Sequence, residues 1–223
     1  DEDTRINVKL KSGQETEINA PGPKVTHAQF EQLLSQIRRT TNDDIVIVAG
    51  SVPNSIPSDA YAQIAQITEK TGAQLVVDAE KDLVETVLPY RPLFIKPNKD
   101  ELEVMFNTTV KSDEDVIKYG KEILKKGAQS VIISLGGDGA IYVDQHQSIK
   151  AVNPQGHVVN TVGSGDSTVA GMVAGLSMGL NIDEAFQQAV ASGTATAFSE
   201  DLATRDAIEN IKSQVTISVL DGE

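Results

Sequence analysis

Between residues 45 and 95 the chain reads Ile45-Val46-Ile47-Val48, then Ala60 to Ile67, then Leu75-Val76-Val77, then Leu83 to Leu88, then Leu93-Phe94-Ile95, and this stretch decides the fold. The three short runs are aliphatic, largely β-branched and uninterrupted by charge, the pattern of strands buried on both faces. The segments between them carry apolar residues at helical spacing. That order predicts parallel strands joined by right-handed crossovers, with helices covering the faces of one sheet.

Working outward toward the C-terminus, Val116 to Leu124 reads as helix and Val131-Ile132-Ile133 as a buried strand. Gly136-Gly137-Asp138-Gly139 is a turn, Ala140-Ile141-Tyr142-Val143 its returning strand, and helices follow at about 165–179, 183–198 and 205–213. Toward the N-terminus, Thr26 is a helix N-cap with Phe30, Leu33, Leu34 and Ile37 on one face behind it. Ala20-Pro21-Gly22-Pro23 breaks the pattern before that. Arg5 to Leu10, the polar Lys11-Ser12-Gly13-Gln14 and Glu15 to Asn19 read as a β-hairpin. A lone hairpin is marginal in water, so it should belong to a small sheet that packs on something else. No internal repeat or linker marks a second large domain.

Composition narrows the partners. A chain of 223 residues supports one principal core. With 32 acidic against 19 basic residues the formal charge is −13, which argues against a general affinity for nucleic acid or anionic membrane. Any small anionic substrate must then be held by local positive features. Cysteine is absent, so disulfides, thiolate metal sites and a cysteine nucleophile are excluded. The apolar runs are strand-sized, nothing reads as a membrane span or signal peptide, and the expectation is a cytoplasmic protein.

In open α/β sheets ligands bind beyond the carboxyl ends of the strands. Four such positions carry distinctive residues: Gly50-Ser51-Val52-Pro53, Lys96-Pro97-Asn98-Lys99-Asp100-Glu101, Ser134 to Gly139, and Asn160-Thr161-Val162-Gly163-Ser164-Gly165-Asp166-Ser167. The last is the most informative. Gly163 and Gly165 before a helix allow a sharp turn and leave its first amides unobstructed, which suits an anion. Asp166 is then a carboxylate within reach of whatever those amides hold and suits a general base; capping the helix is its other reading. Asn98 and Glu101, three apart at a helix start, suit Mg²⁺ through its waters, or a capping box, and neither role excludes the other. Lys96, closing an apolar strand, would meet phosphate at that edge, unless it snorkels outward. Ser134 to Gly139 is a nucleotide bed by its position, or simply a tight hairpin.

Together and in this order, the four segments resemble the ribokinase-like (PfkB) carbohydrate kinases, over Arg5 to about residue 200. Thr4 to Val8, Glu15 to Pro23 and Lys96 to Glu103 look most like the bacterial 1-phosphofructokinase branch, with tagatose-6-phosphate kinases close behind. The resemblance implies an α/β fold, a ribokinase-like three-layer αβα domain with a mostly parallel central sheet and a small β-sheet lid. Residues 1–23 would be part of that lid and 24–223 the main nucleotide- and substrate-binding domain.

By motif, the resemblance implies ATP and Mg²⁺ as cofactors, Asp166 as base toward the acceptor hydroxyl, and the amides of Gly163, Ser164 and Gly165 as the hole for the moving phosphoryl group. Asn98, Glu101 and Lys96 would serve the metal and phosphates. Ser134, Gly136, Gly139 and Thr161 would line the nucleotide site, with Gly193 and Ala197 on the adenine side. Arg5 and Ser51 would hold the phosphate already on the sugar. The implied reaction is fructose 1-phosphate to fructose 1,6-bisphosphate. Its rivals are a tagatose-6-phosphate kinase, a kinase of an unphosphorylated sugar or nucleoside, and a non-catalytic nucleotide-binding protein. A homodimer through the lid is a further implication. The family's N-terminal third, with its substrate Asp and Gly-Gly-Lys-containing sugar motif, has no counterpart here, so the chain reads as a fragment of a longer protein. Asn54-Ser55-Ile56-Pro57 lacks the family's usual glycine, and Asp78-Ala79-Glu80 departs from the usual motif and is assigned no role.

Overall fold

A computed structural model of the chain describes residues 4–12, 14–20 and 22–221. β1 (Asn7–Ser12) and β2 (Gln14–Asn19) pair antiparallel as a separate two-stranded sheet, with Val8 opposite Ile18. Both strands run further toward Gly13 than their alternation suggested; Gly13 itself and Pro21 lie outside the described residues. α1 (His27–Ile37) follows, and Thr26 caps it in a full capping box with Gln29. Phe30, Leu34 and Ile37 are buried, but Leu33 is 43% exposed, a correction to the expected face. At 100° per residue the other three cluster within about 60°, and Leu33 falls about 70° from their mean, on the margin of the stripe.

The main sheet has seven strands in chain order: β3 (Ile45–Ala49), β4 (Gln74–Asp78), β5 (Phe94–Ile95), β6 (Val131–Ser134), β7 (Ala140–Val143), β8 (Ser148–Val152) and β9 (Thr216–Asp221). β3 to β6 pair in parallel, and the three pairings from β6 to β9 are antiparallel. Two successive reversals return β8 to the direction of β6. Five strands (β3, β4, β5, β6, β8) therefore point one way and two (β7, β9) the other, so that β3, β4, β5, β6 and β8 bring their carboxyl ends to one edge.

The layers follow from the two-residue period of the strands. Leu75, Val77, Val131, Ile133, Ile141 and Val143 face one core, shared with α1, α2 (Ala60–Thr71), α3 (Lys81–Val87), α4 (Lys99–Phe106) and α5 (Asp113–Lys126). Their alternates Val76, Ile132, Ala140 and Tyr142 face a second core, shared with α6 (Ser164–Ser177), α7 (Ile182–Ala197) and α8 (Arg205–Lys212). This is the three-layer αβα arrangement with a mostly parallel sheet. Among the described residues no helix is long and apolar enough to cross a membrane.

Two strands escaped the sequence reading. Ser148-Ile149-Lys150-Ala151-Val152 looks half polar, yet Ser148 is buried and Lys150 Nζ donates to both carboxylate oxygens of Asp113 on α5, at 2.9 and 2.7 Å. A tertiary partner satisfies Lys150, whose charge local pattern counts against a buried strand, whereas the buried Ser148 Oγ has no partner among the described residues.

The close approach of α6 and α7 fixes where the site forms. A Cβ built on Gly171 would lie 2.9 Å from Ala189 Cα and 2.6 Å from Ser192 Oγ, and one on Gly175 2.9 Å from Ala185 Cα. Gly171→Val should therefore force the helices apart and cost about 1–3 kcal/mol, the usual range for overpacking. Urea denaturation of the variant checks this; an unchanged midpoint would mean that the interface yields.

Candidate active site

The mouth of α6 is built by Gly163, whose left-handed φ of +80° makes the turn into the helix. One expected amide is already engaged: Ser164 N–H donates to Thr161 O at 3.2 Å. This corrects the expectation of three available donors, because the turn that forms the helix mouth closes on that amide. Among the described residues the N–H groups of Gly165 and Asp166 have no acceptor, and the buried Ser164 Oγ has no partner. Two uncommitted amides at a helix N-terminus beside an orphaned hydroxyl fit an anion.

Opposite this mouth, Lys96 leaves the end of β5 with its side chain 7% exposed and pairs with Asp78, 18% exposed, at the end of β4 (Nζ to Oδ2, 3.2 Å). Lys96 therefore does not snorkel outward. A Cβ on Gly165 would stand 3.2 Å from Lys96 Nζ and 3.8 Å from Asp78 Oδ2, so the α6 mouth faces this ion pair directly. Burial pushes the Asp78 carboxyl up, against the opposing pull of Lys96, and the nearby Asp166 pushes it further. Asp166 is exposed and, among the described residues, accepts no hydrogen bond. The Asp78 backbone also holds the neighbouring loop, with its carbonyl accepting from Gly50 N at 2.9 Å. Tyr61 donates to Gly50 O at 3.0 Å, and burial, reinforced by Asp78, pushes its hydroxyl up to about 12, so it remains a donor at neutral pH.

Asn98 and Glu101 form a complete capping box at the start of α4, with each side chain accepting from the other's backbone N–H at 2.8 Å. One oxygen of Glu101 is left over. Among the described residues no group of three or more His, Asp or Glu side chains could hold a metal ion by itself. A divalent ion here would need ligands from elsewhere, such as phosphate oxygens and water.

A cleft of about 390 Å³ runs from this mouth along the carboxyl edge of the sheet. Lys96, Asn98, Thr161, Ser164 and Gly165 line one part, and Ser134, Gly136, Gly139, Gly193 and Ala197 another. An isolated bridge between Asn98 and Ser134, with Ser134 N–H donating to Pro97 O at 3.1 Å, holds the ends of β5 and β6 level. Gly193 admits the close approach of α6, since a Cβ there would collide with Thr168 Oγ1 and lie 2.9 Å from Ser164 O.

Gly163, Glu101 and Asp166 are not on the wall of the cleft; Asp166 stands in solvent at its mouth, and Gly163 abuts Leu202. Arg5 and Ser51, 46 residues apart, meet through a hydrogen bond from the guanidinium to Ser51 Oγ, away from that wall. The sequence reading missed Asp78, Asn153, Thr168 and Phe198. Asp78 and Asn153 both lie at carboxyl strand ends, and the same rule would have found Asn153 had β8 been read. Thr168 and Phe198 left no local signal, because helix packing alone brings them to the cleft.

Residues 1–207 match the pfkB family carbohydrate kinase. The 1-phosphofructokinase of Bacillus subtilis is 42% identical over 218 residues, covering 98% of this chain and 72% of its own length. The D-tagatose-1-phosphate kinase of Bacillus licheniformis is 34% identical over 218 residues, covering 97% and 72%. A crystal structure of a provisionally named phosphofructokinase from Staphylococcus aureus superposes with a TM-score of 0.91 at 82% identity, covering 100% of this chain and 73% of that one.

The Asp78 carboxyl offers a test that needs no ligand. A carboxyl raised on folding stabilises the fold below its ordinary value, and that contribution is lost as pH rises through the higher folded value. The unfolding free energy of the wild type minus that of Asp78→Asn should therefore fall as pH rises above the ordinary carboxylate value of about 4 in urea titrations. A difference that grows with pH would mean that attraction to Lys96 outweighs burial.

Proposed function

Because this chain belongs to the pfkB family of carbohydrate kinases and is an ATP-dependent sugar-phosphate kinase, we propose that it transfers the γ-phosphoryl group of ATP to fructose 1-phosphate, giving fructose 1,6-bisphosphate. The observation that carries this reading is the α6 mouth: two uncommitted amides and a buried hydroxyl beside an exposed carboxylate, with Gly165 set against Lys96. Asp166 takes the proton of the sugar's primary hydroxyl as that oxygen bonds to the γ-phosphorus. The bond from phosphorus to the β,γ-bridging oxygen breaks, and ADP leaves with the electron pair. The amides of Gly165 and Asp166 stabilise the charge on the transferring oxygens, with Gly163 and Ser164 shaping the turn that presents them. Lys96, already paired with Asp78, is shared with the phosphates. Asn98 and the second oxygen of Glu101 are the residues that would hold Mg²⁺, through water, and the ion would supply neutralisation of phosphate charge.

Arg5 and Ser51 are the proposed anchor for the phosphate already on the sugar, and their mutual hydrogen bond supports a shared ligand. We assign residues 1–23 to a lid over the sugar and 24–223 to the main domain. The exposed Ile6, Val8 and Ile18 on the hairpin suit a lid that pairs between two copies, and a chain free of cysteine suits the cytoplasm. A tagatose phosphate is the second reading, favoured by the likeness to a D-tagatose-1-phosphate kinase.

Asp166→Asn should lower kcat by about 10²–10⁴ with KM little changed, as loss of a general base does; near-normal turnover would remove Asp166 from the mechanism. Arg5→Ala should raise KM for the sugar phosphate mainly, and an unchanged KM would refute its contact. A coupled assay over fructose 1-phosphate, tagatose 1-phosphate, tagatose 6-phosphate, ribose and adenosine decides the acceptor. Turnover highest on an unphosphorylated acceptor would overturn the reading, and ATP binding with no transfer to any acceptor would favour a non-catalytic protein.

A further inference from the structure

Asn153 stands one residue beyond the end of β8, and Pro154 after it restricts its backbone to extended conformations and so limits where its side chain can point. The half-buried amide spans the cleft. Its Nδ2 donates to Gly136 O at 3.0 Å, in the turn between β6 and β7. Its Oδ1 accepts from Thr194 Oγ1 at 2.9 Å, on α7. Gly136 O can only accept, so the amide must present its nitrogen to the turn and its oxygen to the helix.

Two details set this bridge apart from ordinary surface bonding. On α7, Ser192 folds back on the helix and donates to the carbonyl four residues earlier at 2.8 Å, and Thr196 pairs with Ser167 on α6 at 2.9 Å. Thr194, 6% exposed, instead reaches across to Asn153. On the other side the base of the turn is closed by Leu135 N–H to Gly139 O at 2.9 Å and Gly139 N–H to Gly136 O at 3.2 Å, but its tip is uncovered: Gly136 and Gly137 are exposed, and a Cβ on either would meet nothing within 4 Å. The cleft between the two joined walls is also lined by Val158, Val190, Ala197 and Phe198, which give it a largely apolar slot. A flat heteroaromatic base needs such a slot at a fixed width.

We propose that Asn153 is a positioning residue for the nucleotide: with Thr194 it fixes the distance between the turn after β6 and α7, and so sets the affinity for the base end of ATP. This inference rests on reading the cleft as the ATP site. An Asp in its place keeps an acceptor for Thr194 but turns a carboxylate oxygen toward Gly136 O, so the bridge breaks at one end without a change of shape.

The test measures KM for ATP and for the sugar phosphate, kcat, and the ATP affinity of the resting protein by titration calorimetry. Asn153→Asp should raise both KM and Kd for ATP about ten-fold, with kcat and the sugar-phosphate KM within about two-fold of wild type. Thr194→Val should raise the ATP KM about three-fold, Thr194→Ser should restore it, and Thr194→Val added to Asn153→Ala should cost nothing further. If Asn153→Asp does not fold, the Thr194→Val and Thr194→Ser pair decides. Equal rises in both KM values, an ATP Kd unchanged in folded Asn153→Asp, or additive effects would overturn the inference while leaving the kinase reading intact. A wild type that binds no ATP would remove both.

Discussion

The close packing of α6 on α7 is the constraint on which the rest of the site depends. Gly171, Gly175 and Gly193 let the two helices approach until backbone meets backbone, with no room for even one methyl group. That contact determines where α6 begins, and therefore where the free amides of Gly165 and Asp166 come to lie. Gly165 stands against Lys96 because the helix cannot retreat from its neighbour. A helix N-terminus attracts an anion only when its amides are uncommitted and aimed, and here packing on the far side of the helix does the aiming.

Charge sets the second constraint. The chain carries a formal −13, so its field repels anions at a distance, and binding must come from short-range donors. The one lysine at the mouth is already paired with Asp78. Partial charges on fixed amides therefore carry much of the attraction, at no cost in reorganisation. The pair also holds Lys96 in place at the edge of a low-dielectric interior, where an unpaired cation would be costly. Asp78 further ties this pair to the loop bearing Ser51, through its backbone bond to Gly50. The strand end thus links the proposed phosphate-transfer centre to the proposed sugar-phosphate anchor.

The lining of the cleft combines two chemistries. Toward Lys96 and Gly165 it offers charge and amide donors; toward Ala197 and Phe198 it offers apolar surface. A molecule with a polyanionic tail and a flat aromatic head matches that combination, and the strand-end geometry of the sheet lays both along one edge.

How much of this was legible in the chain itself depends on how local each feature is. The strands at 45–48, 75–77 and 93–95, the helix breaks and the Gly163 to Asp166 mouth are written in short-range patterns, because backbone sterics and apolar periodicity act over a few residues. The N-cap at Thr26 and the capping box at Asn98 were readable for the same reason. Leu33 was misjudged because periodicity locates the centre of a stripe better than its margin. β8 and β9 were missed because their alternation is broken by polar residues, and the one charge in β8, Lys150, is satisfied by the distant Asp113. Asp78 acquired meaning only when β4 and β5 became neighbours and set it against Lys96, and Asn153 only when β8 and α7 met across the cleft. The sequence by itself determined the fold class and the helix mouth, since both follow from interactions between residues close in the chain. The ion pair, the loss of the Ser164 amide to its turn and the bridge over the cleft were decided by tertiary structure, since each depends on a distance or an angle that the finished packing alone sets.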